Sequence, residues 1–226
     1  MAGKSKRYAE SKKSYDDKKR YSIREGIDVL KGLPGAKFDE SVDVVIKLGI
    51  DPKRSEQMVR GSISLPKGIG KVLKVVVFAK GEKAEEAKKA GAVEAGAEEL
   101  IKKVEGGWMD FDVAIATPDM MRQIGKLGRV LGPQGKMPSP KSGTVTDKIN
   151  ETVEEFKAGK IEYRNDAGGN IHALVGKVSF STEDLTENIE SFINHIIASK
   201  PPSAKGAFLQ KTTISSTMGP GISLAV

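Results

Sequence analysis

The hydrophobic period of this chain changes twice along its length, and no other feature restricts its fold as much. Over 36–50, Val42, Val44, Ile46, Leu48 and Ile50 alternate with Ser41, Asp43, Val45, Lys47 and Gly49. This predicts a strand with one buried face and one mostly polar face. A further strand is expected over 59–65. Past Lys67 the alternation gives way to apolar strands, KVLKVVVFA and DVAIAT, separated by charged helical patterns over 82–90 and 97–104. A helix over 149–158 follows, with Val153 and Phe156 inward. Strands buried on both faces and alternating with helices imply a small parallel sheet of Rossmann-like type.

Past Gly159 the two-residue period returns. Strands are expected over 161–164 and 171–180, joined as a hairpin through Asp166, Gly168 and Gly169. The run TTISSTMGPGI, 212–222, sets Ile214, Ser216 and Met218 on one side and Thr213, Ser215 and Thr217 on the other, then breaks at Gly219, Pro220 and Gly221. It reads either as part of a flat recognition surface or as an ordinary edge strand and turn. Two amphipathic helices accompany these strands. One has a capping box, Ser22 with Glu25, ahead of Ile27 and Leu30; the other, over 181–199, carries the stripe Leu185, Ile189, Phe192, Ile193, Ile196 and Ile197.

Neither outer third has core enough to fold by itself. The fold class that follows is α+β: a discontinuous split domain, residues 1–66 with 160–226, holding an antiparallel sheet and two helices. It is interrupted at 67–159 by an inserted Rossmann-like α/β three-layer domain. Pro66, Gly68 and Gly159 mark the joins as hinges.

Net charge is +7, with a pI near 9.3, which favours a polyanionic partner. The excess is local. Residues 1–24 carry nine Lys or Arg against three acids, and Arg122, Lys126, Arg129, Lys136 and Lys141 meet no acid over 120–146. The arm, roughly the first 20 residues, reads either as a solvated tail or as an electrostatic anchor. The stretch LGRVLGPQGKMPSPKSGTV, 127–145, has too many Gly and Pro for a long helix or strand. It is expected to be an ordered loop, either offering backbone N–H groups and lysines to phosphates or wrapping the inserted sheet.

That loop is not a nucleotide P-loop, because Lys136 is followed by Met137 where a Ser or Thr would hold magnesium. The first apolar strand is followed by KGEKAEEA, too acidic for a pyrophosphate. His172 and His195 have no nucleophile or carboxylate pair to work with in the sequence, so a nucleotide-binding α/β enzyme is the weaker alternative. There is no Cys, and no cofactor or metal is expected. No membrane span and no apolar leader are visible, so a cytoplasmic address is expected.

The 127–145 loop, together with AKFDESVDVVIKLGID, VRGSISLPKGIGK, GWMDFDVAIATPDMM, KAGKIEYRNDAGGNIHALVGKVSF and KGAFLQKTTISSTMGPGI, resembles the ribosomal protein L-one family of the large subunit, in its bacterial form. The resemblance covers essentially the whole chain after the arm and implies the same split architecture. It implies binding to the mobile stalk helices of large-subunit ribosomal RNA beside the exit site, where deacylated tRNA leaves. It further implies repression of the chain's own operon through its mRNA, a ribosomal and cytoplasmic address, and a monomer outside the ribosome. The RNA-binding residues carried over are Lys37, Phe38, Glu40, Ser41, Asp43, Lys47, Arg164, Asp166, Thr217, Met218 and Gly219. Secondary phosphate contacts are expected from Arg129, Lys136 and Lys141. On this reading hydroxyls and carboxylates select the RNA while cations add affinity, and replacing Thr217 or Met218 is expected to cost binding but little stability.

Overall fold

The computed structural model describes residues 5–225. Ser5 caps α1 (Lys6–Ser11) by accepting the Tyr8 N–H. Ser22 and Glu25 exchange side-chain bonds with each other's backbone N–H groups, the capping box that starts α2 (Ile23–Gly32). β1 (Ser41–Leu48) and β2 (Arg60–Ser64) follow. Next come β3 (Val75–Phe78), α3 (Glu82–Lys89), β4 (Glu94–Gly96), α4 (Glu98–Glu105) and β5 (Val113–Ala116). The short helices α5 (Met121–Ile124) and α6 (Gly128–Leu131) precede α7 (Ile149–Ala158). The chain ends with β6 (Lys160–Arg164), β7 (Asn170–Lys177), α8 (Thr182–Ala198), β8 (Leu209–Ser216) and β9 (Ile222–Leu224). Among the described residues no helix is long and apolar enough to cross a membrane.

Two compact units result: one from the chain up to Gly70 and from Ile161 onwards, the other from Lys71 to Lys160. In the first, an antiparallel sheet has the order β7-β1-β8-β9, so β1 lies between strands from the far end of the chain. The alternation predicted for β1 is realised residue by residue, with Val42, Val44 and Ile46 wholly buried and the residues between them half-buried. α2 and α8 pack on each other and on this sheet, through Ile27, Leu30, Leu185, Ile189 and Phe192. Each such buried side chain stabilises the fold by roughly 1.5–3 kcal/mol.

In the second unit three parallel strands have the order β4-β3-β5. Val76 and Phe78 face a cluster with Leu100, Val104 and Leu131, while Val75 and Val77 face Ala87, Val153 and Phe156. Successive β3 residues thus bury on opposite faces, which explains the unbroken apolar run.

Three local expectations need correction. The hairpin over 161–180 is not one: β6 pairs with β2 in a separate two-stranded sheet, and the chain after it meets β7 through an Asn165–Ile171 bridge and the Asp166 N–H bonded to the Asn170 carbonyl. The cause is Asn165, whose side-chain carbonyl accepts the Val59 N–H at 3.0 Å and whose own N–H donates to the Val59 carbonyl. The buried Tyr163 adds to this, its hydroxyl 2.9 Å from His195 Nε2 on α8. Second, β9 follows the Gly-Pro-Gly break, three residues too few to show a period, and pairs with β8. Third, the arm from Ser5 onward is no featureless tail: it contains α1 and is bonded to the C-terminal turn, while residues 1–4 lie outside the described residues.

Candidate nucleic-acid interface

The helices cover one face of the four-stranded sheet, and the odd-numbered residues of β1 point to the other. Register sets Asp43 opposite Leu174 and Ser215, Val45 opposite His172 and Thr213, and Lys47 opposite Asn170 and Lys211. Lys177 Nζ donates to Ser41 Oγ at 2.9 Å, and Lys47 donates to the Gly168 carbonyl. Burial pushes the Asp43 carboxyl above its ordinary value, against the lowering pull of His172 and Lys177. The face is polar and carries both signs of charge. Thr213 and Ser215 lie on the polar side read for the C-terminal run; Asn170 and His172 were not placed on this face from the sequence, although the alternation of β7 was enough to find them.

At one end of this face the two chain ends join. Thr217 Oγ1 accepts the Ser41 N–H at 3.0 Å and the Thr217 N–H donates to the Ser41 carbonyl at 3.0 Å, across 176 residues of sequence. Beneath them lies Glu40, 4% exposed, whose carboxylate accepts the Ala36 N–H at 2.5 Å and the Met218 N–H at 2.9 Å. Burial raises its pKa. The bonds from Met218, the Ser216 hydroxyl and Ala36, with the charge of Arg7, outweigh that and hold it below the ordinary carboxylate value.

Glu40 therefore organises the site instead of presenting itself to a partner, a correction to its expected contact role. Phe38 and Met218, at 55% and 53% exposure, flank it as apolar side chains left uncovered, and Lys37 is exposed beside them. A Cβ at Gly219 would lie 2.4 Å from Ser216 Oγ, so a side chain there would displace the hydroxyl that bonds the Glu40 carboxylate.

Thr217 also departs from expectation. Its hydroxyl satisfies a backbone donor, so Thr217→Val is expected to lower unfolding free energy by about 1 kcal/mol as well as weaken binding, which denaturant melts will measure.

Arg164 ends β6, and Asp166 lies on the chain between β6 and β7. Arg164 is exposed. Asp166 is spent on its own turn: it accepts the Asn170 side-chain N–H at 2.9 Å, the Asn170 N–H at 2.7 Å and the Gly168 N–H at 2.8 Å, with His172 Nε2 at 3.6 Å. Those bonds, led by the Asn170 side chain, lower its pKa to about 2. A depressed folded value means the turn gains from ionisation above the ordinary Asp range of about 3.9 and loses that gain as pH falls through 2. An NMR titration should place the Asp166 midpoint near 2, well below the ordinary Asp value of about 3.9.

Arg129, Lys136 and Lys141 belong to the second unit. Lys136 is braced inward, donating to the carbonyls of Phe111 at 2.5 Å and Met109 at 3.1 Å, with its ammonium 4.9 Å from the Phe111 ring centroid. Its expected phosphate role is corrected accordingly. Arg129 and Lys141 are exposed. The loop also does the wrapping work: the Thr144 carbonyl accepts the Ala116 N–H at the end of β5, and Ser142 and Thr144 bond each other while buried.

Among the described residues no group of His, Asp or Glu is arranged to hold a metal ion. Burial lowers the pKa of His195, whose ring nitrogen meets the Tyr163 hydroxyl and not a nucleophile.

Comparison with known proteins gives a consistent answer. The large ribosomal subunit protein uL1 of Kosmotoga olearia is 56% identical over 224 residues, 99% of this chain and 97% of its own. That of Chlamydia caviae is 57% identical over 212 residues, 94% of this chain and 91% of its own, and that of Protochlamydia amoebophila is 56% identical over 224 residues, 99% and 95%. The profile described as Ribosomal protein L1p/L10e family matches residues 30–220, from inside α2 to the Gly-Pro turn that closes the site. The shared stretch therefore contains β1 and the 216–219 turn that meet at Ser41 and Thr217, and this chain belongs to the ribosomal protein L1p/L10e family.

Proposed function

We propose that this chain is a constituent of the large ribosomal subunit, acting in the cytoplasm on the ribosome, and that it grips the mobile stalk helices of large-subunit ribosomal RNA with the open end of its four-stranded sheet. The family is structural and not enzymatic, which removes the nucleotide-binding enzyme. The observation that carries the RNA reading is the reciprocal bonding of Ser41 and Thr217, which fuses both chain ends into one hydroxyl-bearing surface. RNA is read in its shallow groove and at splayed bases through 2′-hydroxyls, base edges and stacking. Hydroxyls, backbone groups and an exposed Phe and Met suit that task better than a block of charge.

On this reading the unit built from both chain ends is a split RNA-binding domain and 67–159 an accessory insert. The same surface serves the chain's own operon mRNA, whose translation it represses by presenting the site with a fold like that of the stalk. Next to the exit site the protein, a monomer before assembly, also meets departing deacylated tRNA. A footprint on large-subunit ribosomal RNA tests the first step. Protection confined to stalk helices, lifted by the operon mRNA leader and not by nucleotides, is the expected result; protection elsewhere would refute it.

Arg129 and Lys141 provide the accessory phosphate contacts. Changing both to Gln should flatten the log affinity against log salt plot on a full stalk RNA by about 1.4–1.8, the release of two phosphate contacts. An unchanged slope would take the loop out of the RNA interface.

A further inference from the structure

We infer that the N-terminal arm is a second RNA-binding element, a phosphate clamp fastened beside the C-terminal turn and holding the backbone of the same RNA that the sheet end reads; this rests on the RNA reading of that end.

The arm is anchored by uncharged groups. Ser11 is buried at the end of α1, and its hydroxyl donates to the Arg7 carbonyl. The Tyr15 hydroxyl donates to the Gly221 carbonyl at 3.1 Å. The Tyr21 hydroxyl closes the intervening loop by accepting the Asp16 N–H at 3.1 Å. Its backbone N–H donates to the Ser223 carbonyl at 3.0 Å, and the Ala225 N–H donates to the Tyr21 carbonyl at 2.8 Å, so Tyr21 runs alongside β9. The arm is thus tied to the segment that directly follows Thr217, Met218 and Gly219. Arg7 lies near enough to Glu40, the carboxylate holding the Met218 N–H, for its charge to be felt there.

The charges are left over from this anchoring. Lys6, Lys13, Lys18 and Arg20 are exposed, and among the described residues none of the four is in an ion pair; Lys12 alone in the arm is paired, with Asp17 at 3.4 Å. A strap needs Ser11, Tyr15 and Tyr21 but gains nothing from unpaired cations that outnumber the arm's unpaired acids, Glu10 and Asp16, since their mutual repulsion opposes the compact state. Phosphates supply the missing counter-charge. A tethered cation also binds without the ordering cost that a free tail would pay on association.

The experiment compares the full chain, a variant with Lys6→Gln, Lys13→Gln, Lys18→Gln and Arg20→Gln, and Met218→Ala. Each is titrated with a stalk RNA fragment and with an unrelated RNA duplex over a range of salt. The four-fold variant is expected to keep its melting temperature, to lose roughly 10–100-fold in affinity at low salt on both RNAs, and to flatten the salt slope by about 2.8–3.6. Met218→Ala is expected to weaken binding to the stalk fragment with its slope intact. A wild-type slope in the four-fold variant, with Met218→Ala still impaired, would overturn the clamp and leave the sheet reading standing. If the unmodified chain shows no preference for the stalk fragment over the duplex, the sheet reading fails, and the clamp falls with it.

Discussion

Glu40→Ala is expected to lower unfolding free energy by roughly 3 kcal/mol and RNA affinity by roughly 100-fold, the largest combined loss of any single change at the site. The Glu40 side chain is nearly inaccessible, yet its carboxylate is the acceptor for two backbone N–H groups from opposite ends of the chain, Ala36 and Met218. Removing it leaves both part-buried donors without that partner, at about 1–3 kcal/mol each. The segment carrying Phe38 and the turn carrying Met218 and Gly219 would then lose their common fastening. Glu40→Gln should fall between, since its oxygen replaces one acceptor while its NH2 group confronts the other donor.

The acid behaviour carries the same sign. The folded pKa lies below the ordinary value, so this stabilisation is complete above the unfolded carboxylate pKa and fades as pH falls through the depressed folded one. Thermal melts and RNA titrations of the three proteins check this. Wild-type values for Glu40→Ala would show that the carboxylate organises nothing.

Phe38→Ala combined with Met218→Ala is expected to behave oppositely, losing roughly 100-fold or more in RNA affinity with almost no change in melting temperature. Both side chains are more than half exposed, so little burial is forfeited in the free protein. In the complex an aromatic ring under an unstacked base is worth about 1–3 kcal/mol, and a polarisable thioether adds contact of the same kind. Parallel losses in melting temperature and affinity would mean that the two residues support the fold and do not meet RNA.

What the sequence made legible was what periodicity encodes. β1, α2, α7 and α8 were readable because each repeats its period several times, and the apolar runs of β3 and β5 were readable as strands buried on both sides. The bond between Ser41 and Thr217 was foreshadowed only by the matching polar faces of two distant strands.

Where single polar side chains decide, reading failed. Asn165 drew β6 away from β7 with one amide, although the Asp166 to Gly169 turn looked like an ordinary hairpin. Glu40, Asp166 and Lys136 looked like surface charges, and each is consumed by nearby backbone groups. Charge type in a sequence does not reveal whether a carboxylate or ammonium faces outward. Only the count of backbone groups needing partners does, and that count requires the fold. The arm was legible as basic, and its docking was not, because Tyr15 and Tyr21 act through one hydroxyl and one bridge.

Amide hydrogen exchange of the full chain, free and bound to a stalk fragment of large-subunit ribosomal RNA, tests most directly whether the two chain ends form one RNA-gripping surface. Joint slowing over 36–43 and 212–219, to the same degree and at the same RNA concentration, is the expected pattern. Slowing at only one of these segments, or confined to the unit between Lys71 and Lys160, would contradict it.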